Sequence, residues 1–330
     1  MRHDIMQYVG KNHFLATVLI IVFFWFLLQV LDILVVGFIA YIVMAALSPA
    51  VRFLHKKGLP NTLSVVLPLV TVIVFLVLLI FPLVPFFIEQ VQSLLTGFPL
   101  YLDQAAKSVG VSIDTKNVQT FLSSQNTAIG KNAFFVTGRV FGGVLSTLTI
   151  FVVIFYLLID EGRIKKAVAS LFPKQSREKV LATFVLVEDK LGAWMRGQIA
   201  LSLFIGTITW IALTLIGIKV ALPLAVIAGI LEIVPTIGPI LAAFPAVVIA
   251  LTISPTMAII VGIIYFAIQI VENNILVPRI MQQAVGLNPI IVIMCILAGG
   301  ELMGIVGALL SIPFVSMIIV IIQSLKQRNI

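Results

Sequence analysis

The sequence predicts an all-α polytopic membrane protein of about eight membrane helices, including two broken, re-entrant hairpins, with an inverted repeat in its C-terminal half. Three observations predict it. The 330 residues are 61% hydrophobic and only 10% charged, so there is too little polar surface to cover a globular fold. Apolar runs of membrane-spanning length recur along the chain. Two late apolar runs are interrupted by prolines, glycines and carboxylates, which an ordinary spanning helix excludes.

The elements follow in order. Residues 1–87 form an N-terminal three-span frame. Its first run, 14–30, lacks a small-x-small cleavage site and is followed at once by a second, 33–54, so it reads as an uncleaved span and not a signal peptide. The second span leads into the basic turn Arg52, His55, Lys56, Lys57, Gly58. The third, 63–87, carries Pro68, Pro82 and Pro85, which predict bends. Residues 88–136 interleave Ser, Thr, Gln and Asn with apolar positions, the pattern of an extracytoplasmic amphipathic cap.

Residues 137–160 hold a fourth span, entered through Gly138, Gly142 and Gly143. Residues 161–196 are the most charged part of the chain. There Val180, Phe184, Val187, Leu191 and Trp194 make one apolar stripe opposite Glu178, Lys179, Glu188, Asp189 and Lys190, which predicts a cytoplasmic amphipathic helix. Residues 197–330 form the transport core, opening with a span over 199–218.

Within that core, 222–234 and 240–253 are each about 20 Å long as helix, against a hydrocarbon core of roughly 30 Å. The break between them, Pro235-Thr236-Ile237-Gly238-Pro239, makes the pair either a re-entrant hairpin or two tilted spans. A further span, 257–271, runs into Glu272-Asn273-Asn274. The last segment repeats the plan: 290–298, an interruption at Gly299-Gly300-Glu301, then 302–324. A shift of 66 residues places Pro223 on Pro289, Ile230 on Ile296, Gly238 on Gly304 and Ala242 on Ala308, so the two breakers coincide.

Charge fixes an expected topology. With both termini cytoplasmic, 16 of the 21 Lys and Arg fall inside, leaving Lys107, Lys116, Lys131, Arg139 and Lys219 outside. The net charge of +8 is therefore a topology signal, and no nucleic-acid partner is expected. A single Cys295 in an apolar run excludes an internal disulfide.

The chemistry centres on Glu232, Glu272 and Glu301. At membrane depth each carboxyl is either protonated or paired with a cation or an arginine, which suits a proton- or sodium-coupled carrier. The expected solute or ion path comprises Glu232, Pro235, Thr236, Gly238, Pro239, Glu301 and Gly304. Free backbone groups at the breaker could coordinate a cation or a polyhydroxylated solute, and Glu232 could equally hydrogen-bond the hairpin's own amides. Arg196, Gln198, Gln269, Glu272, Asn273, Asn274 and Arg279 form a polar gate or binding set, with Glu272 paired to Arg279 or Arg196 as one arrangement. The amides serve equally as interhelical hydrogen bonds.

Enzymatic readings lack their parts. His3, His13 and His55 lie in polar flanks, and neither a nucleophile elbow nor a phosphate-binding loop appears. No cofactor or metal site is expected.

Five ordered motifs resemble the autoinducer-2 exporter family: Arg196-Gly197-Gln198, Pro235 to Pro239, Glu272-Asn273-Asn274 with Pro278, Gly286-Leu287-Asn288-Pro289, and Gly299-Gly300 through Gly304, Gly307 and Pro313. The match extends from about residue 8 to residue 325. The resemblance implies an inner-membrane protein with about eight membrane helices, assembled as a homo-oligomer, a pentamer in the family. It implies export of a small polar signal such as autoinducer-2, or sodium (lithium)/proton antiport. Asn288 departs from the family, where many members carry His, so a proton-carrying ring is missing at this position. The expectation is a secondary transporter working by alternating access with elevator-like motion, its rivals being the antiporter and a non-transporting membrane scaffold or regulator.

Overall fold

The computed structural model describes residues 29–108, 148–234, 237–281 and 288–326, with short helical pieces between 17 and 26. The expected first span falls largely outside the described residues, as do the cap beyond 108, the glycine-rich entry to the fourth span, Pro235, Thr236, Gly286 and Leu287.

Every described element is helical. Among the described residues five helical stretches are long and apolar enough to cross a membrane: Leu31–Lys56, Asn61–Leu79, Lys174–Leu215, Pro255–Ile280 and Ile290–Lys326. Large apolar side chains cover their outer surfaces, with Leu78, Phe266 and Leu302 well exposed, as a lipid-facing surface requires. This is an all-α, multi-pass membrane protein.

Helix α1 (Leu31–Lys56) is a shared wall between two apolar clusters. Ala40, Met44 and Val51 pack with Val65 and Leu69 of α2 (Asn61–Ser108) and with Ile154 and Leu158 of α3 (Leu148–Ile159). Ile42 and Ala45 belong to the second, larger cluster. The helix ends at Gly58, whose φ of 92° lets its N–H turn back to the His55 carbonyl at 3.0 Å. Helix α2 runs on past Pro82 and Pro85 to Ser108, and its 48 residues exceed twice the roughly 30 Å hydrocarbon core.

The charged region 161–196 is split into two helices, and the apolar stripe from Val180 to Trp194 lies wholly on the second. Helix α4 (Glu161–Ser170) stops before Pro173, which has no N–H to continue the ladder and adopts ψ 147°. A short 3₁₀ turn, Lys174–Ser176, then leads into α5 (Arg177–Leu215), which is about 58 Å long at 1.5 Å per residue. Its buried positions Val187, Leu191, Trp194, Leu201, Ile205 and Leu213 recur at helical spacing and carry the larger cluster.

Beyond Gly217 come α6 (Ala221–Leu231), α7 (Ile237–Leu251) and α8 (Pro255–Val271). Ser254 caps α8, its Oγ accepting from the Met257 N–H at 3.0 Å. A π turn, Glu272–Leu276, extends α8 into α9 (Val277–Met281). Helices α5 and α6 approach closely because glycines face each other: a Cβ on Gly229 would sit 2.8 Å from the Ser202 carbonyl oxygen and 3.4 Å from the Gly206 Cα.

Helix α10 (Pro289–Lys326) passes through Gly299-Gly300-Glu301 and breaks at Met303 and Gly304 instead. Gly304 has φ 61° and ψ −144°, a conformation open to glycine alone. There the chain doubles back, since a Cβ on Gly299 would collide with the backbone of Gly307. In a straight helix those two residues would lie about 12 Å apart.

Candidate functional site

Glu232 closes α6, and its side chain is 1% exposed. The C-terminal carbonyls of a helix lack intrahelical donors. Gln198, buried on α5, donates its side-chain amide to the Glu232 main-chain carbonyl at 2.6 Å. The Gln therefore supplies the end of α6 with a donor and leaves the Glu232 carboxyl free for other use.

That carboxyl meets Glu272. The π turn carries Glu272 inward, 3% exposed, to within hydrogen-bonding reach of Glu232. Two buried carboxyl groups this close can share a proton, so the pair has the chemistry to hold one. No amide, hydroxyl or cationic donor among the described residues reaches Glu232 Oε2. Gln269 supports the other side, its Nε2 lying 3.3 Å from Glu272 Oε2 and 3.5 Å from Asn273 Oδ1. Asn274 instead donates to the Ile270 carbonyl at 2.8 Å, and Asn273 and Asn274 are both exposed.

The arginines do not complete this site. Arg196 is exposed and donates across the α1–α5 crossing to the Ala45 and Ala46 carbonyls at 3.3 and 3.5 Å. Among the described residues no ion pair joins Arg196 or Arg279 to Glu272. The buried neighbour of the Glu232 carboxyl is a second carboxyl, that of Glu272.

Gly238 and Pro239 lie in the first turn of α7, and a Cβ on Gly238 would collide with the Leu231 carbonyl. Only glycine lets α7 start against the end of α6. Glu301 is exposed, one turn before the Gly304 break, and it is Glu272, in the π turn after α8, that faces Glu232. Asn288 accepts the Ile290 N–H at 2.9 Å and so caps α10.

Two groups escaped the sequence reading. One is an ionic cluster joining α1, α4 and α5. Glu188, placed on the polar stripe, is 8% exposed and takes the Tyr41 hydroxyl at 3.3 Å. Lys165 of α4 bridges Glu188 and Glu161, the latter at 2.6 Å. Burial opposes the charge on Lys165, but the hydrogen bonds to these two carboxylates outweigh it and hold its pKa above the ordinary lysine value. The other group is a set of buried hydroxyls with no hydrogen-bond partner among the described residues, Ser202, Thr209, Tyr265 and Ser316. Helical arithmetic on Gln198 could have found the first two, four and eleven residues along the same helix.

A buried carboxyl pair beside a helix discontinuity, in a chain that crosses the membrane several times, is the constellation of a carrier. The model of the AI-2E family transporters matches residues 14–327. The chain belongs to that family. The transporter is 31% identical to the candidate transport protein YrrI of Bacillus subtilis, over 93% of this chain and 90% of YrrI. It is 27% identical to YueF, also of Bacillus subtilis and also a candidate transport protein, over 96% of this chain and 92% of YueF. The AI-2 transport protein TqsA of Escherichia coli is 23% identical, over 86% of this chain and 83% of TqsA. The chain is thus a multi-pass inner-membrane transporter and not an enzyme, and no cluster of metal-ligating side chains occurs among the described residues.

Proposed function

We propose that the protein is a secondary carrier that exports a small polar solute, such as autoinducer-2, by alternating access. The observation that carries the reading is the buried Glu232–Glu272 pair at the end of α6. Family membership supports export, and the name of TqsA supports autoinducer-2 as the first solute to test. Helices α6 and α7, of 11 and 15 residues, act as one re-entrant hairpin, and the arms of α10 either side of Gly304 act as the other. These are the inverted copies of one repeat in a plan of about eight membrane helices, with both termini cytoplasmic. The hairpins move in elevator fashion against an oligomeric frame, a pentamer by family resemblance. The solute path runs past Glu232, Pro235, Thr236, Gly238 and Pro239 to Glu301 and Gly304, with Gln198, Gln269, Glu272, Asn273 and Asn274 offering polar contacts and Arg196 and Arg279 at its mouth.

A second reading, sodium (lithium)/proton antiport, is favoured by the same pair, because two carboxyls in contact can exchange a bound proton for a cation. Proteoliposomes holding the purified protein decide between the two. Radiolabelled autoinducer-2 and sodium are followed with and without proton and sodium gradients. Solute flux that responds to a gradient is expected, and Glu232→Gln removes the gradient dependence while leaving downhill release. Cation flux without solute flux selects antiport. No flux of either kind overturns both and leaves a scaffold or regulator.

A further inference from the structure

Hydroxyls in the spanning part of α5 fall into two kinds. Thr207 and Thr214, both exposed, back-bond to the carbonyls of Leu203 and Trp210 at 2.7 Å, which is how a lipid-facing hydroxyl satisfies itself. Thr209 is fully buried, yet its Oγ1 makes no hydrogen bond among the described residues, and neither does the buried Oγ of Ser202. Both could have back-bonded in the same way. That they do not leaves two buried hydroxyls with no protein partner among the described residues.

Their positions are ordered. From Gln198, Ser202 and Thr209 lie about 40° and 20° around the helix, so the three share one stripe roughly 16 Å long. Tyr265 of α8, also buried with an unpartnered hydroxyl, stands seven residues before Glu272, about 20° off its face. Both rows lead away from the carboxyl pair in one direction: α6 and α8 each end at the pair, and Ser202 lies beside Gly229 of α6.

We propose that where α5 packs against α6 and against α8 a file of water molecules, lined by Ser202, Thr209 and Tyr265, carries protons between the Glu232–Glu272 pair and one face of the membrane. Each hydroxyl can accept one hydrogen bond and donate another, as a water file requires, and none carries a charge that would trap the proton. The backbone approach of Gly206 to Gly229 makes the seam too narrow for an organic solute. The proton path therefore meets the solute path only at the Glu232–Glu272 pair. The inference rests on the transport reading for its purpose, but not for its geometry.

Access to a small hydrophilic cation tests it. In the full chain carrying Cys295→Ala and reconstituted in vesicles, Thr209→Cys and Thr207→Cys are exposed to Ag⁺, whose size is close to that of water. The remaining thiols are counted with a maleimide dye after unfolding. Thr209→Cys is expected to react at least about tenfold faster than Thr207→Cys, because lipid excludes the ion. Equal rates, or a slower Thr209→Cys, overturn the conduit. Tyr265→Phe keeps the ring and removes the hydroxyl, so the rate of proton uptake after a pH jump is expected to fall several-fold while gradient-free solute exchange persists. Unchanged uptake in both Tyr265→Phe and Thr209→Val also overturns it. Fast silver access in a protein that moves no solute leaves the conduit standing and removes the transport reading instead.

Discussion

Gln198 and Glu232 lie 34 residues apart and meet at 2.6 Å, the side-chain amide of one donating to the main-chain carbonyl of the other. The bond secures the end of α6 without engaging the Glu232 carboxyl. A helix terminus and an ionisable group are thus held by different atoms of one residue.

The first prediction follows from that division. Gln198→Leu keeps the approximate volume and removes the donor, leaving a buried carbonyl unsatisfied at a cost of about 1–3 kcal/mol. Gln198→Met has the same defect, since a thioether has no hydrogen to donate. Both variants are expected to lower the apparent melting temperature in detergent, followed by size-exclusion chromatography after heating. A melting temperature equal to wild type would show that the carbonyl finds another donor.

The close crossing of α5 and α6 gives the second prediction. A methyl group on Gly229 meets the Ser202 carbonyl oxygen at 2.8 Å, and backbone cannot move aside as a side chain can. A methyl on Gly206 meets the Ala225 carbonyl at 3.3 Å, which a slight shift accommodates. Gly229→Ala should therefore lose about 1–3 kcal/mol of stability, the usual range for overpacking. Gly206→Ala should lose little, helped by its better helix propensity. Parallel thermal melts of the two variants check the order, and a Gly206→Ala at least as damaging as Gly229→Ala contradicts it.

These features differ in how far the sequence announced them. The second span was legible because apolar length and the basic turn after Lys56 are local signals, and the helix observed is Leu31–Lys56. Glu188 was misplaced because periodicity sees one helix at a time, whereas its burial comes from Tyr41 on α1 and Lys165 on α4. Glu272 read as a helix end. The π turn that rotates it inward adds one residue to a turn and leaves no compositional mark. At the second break, the string Gly299-Gly300-Glu301 looked like the interruption, yet both glycines are helical. They serve close packing against Gly307 and Ala308, and the reversal falls on Gly304.

Lys165 gives a prediction with a pH sign. Its pKa is raised above 10.5 in the folded protein, so folding favours the protonated form. The stabilisation is complete below the unfolded value and is lost as pH rises through the higher folded value. Between about pH 6 and pH 9 the contribution of this residue should be flat, disappearing only in stronger alkali. Lys165→Met should lower the melting temperature across that range by leaving buried Glu188 without its cation, and adding Glu188→Gln should recover part of the loss. A double-mutant cycle measures the coupling, and strictly additive effects would show that the contact is idle.

The last prediction separates stability from transport at the carboxyl pair. Burying two carboxyls at contact distance is unfavourable unless a proton lies between them, and Oε2 of Glu232 has no amide, hydroxyl or cationic donor to offset its burial. Replacing both by Gln preserves shape and supplies neutral donors and acceptors, so Glu232→Gln/Glu272→Gln should melt at or above the wild-type temperature. The same variant has no titratable group left at the site, and its flux should no longer respond to a proton gradient. A double variant that is less stable and still coupled would assign the pair a structural role. One that is as stable as wild type but uncoupled would show that the protein tolerates this burial for the sake of the proton it exchanges.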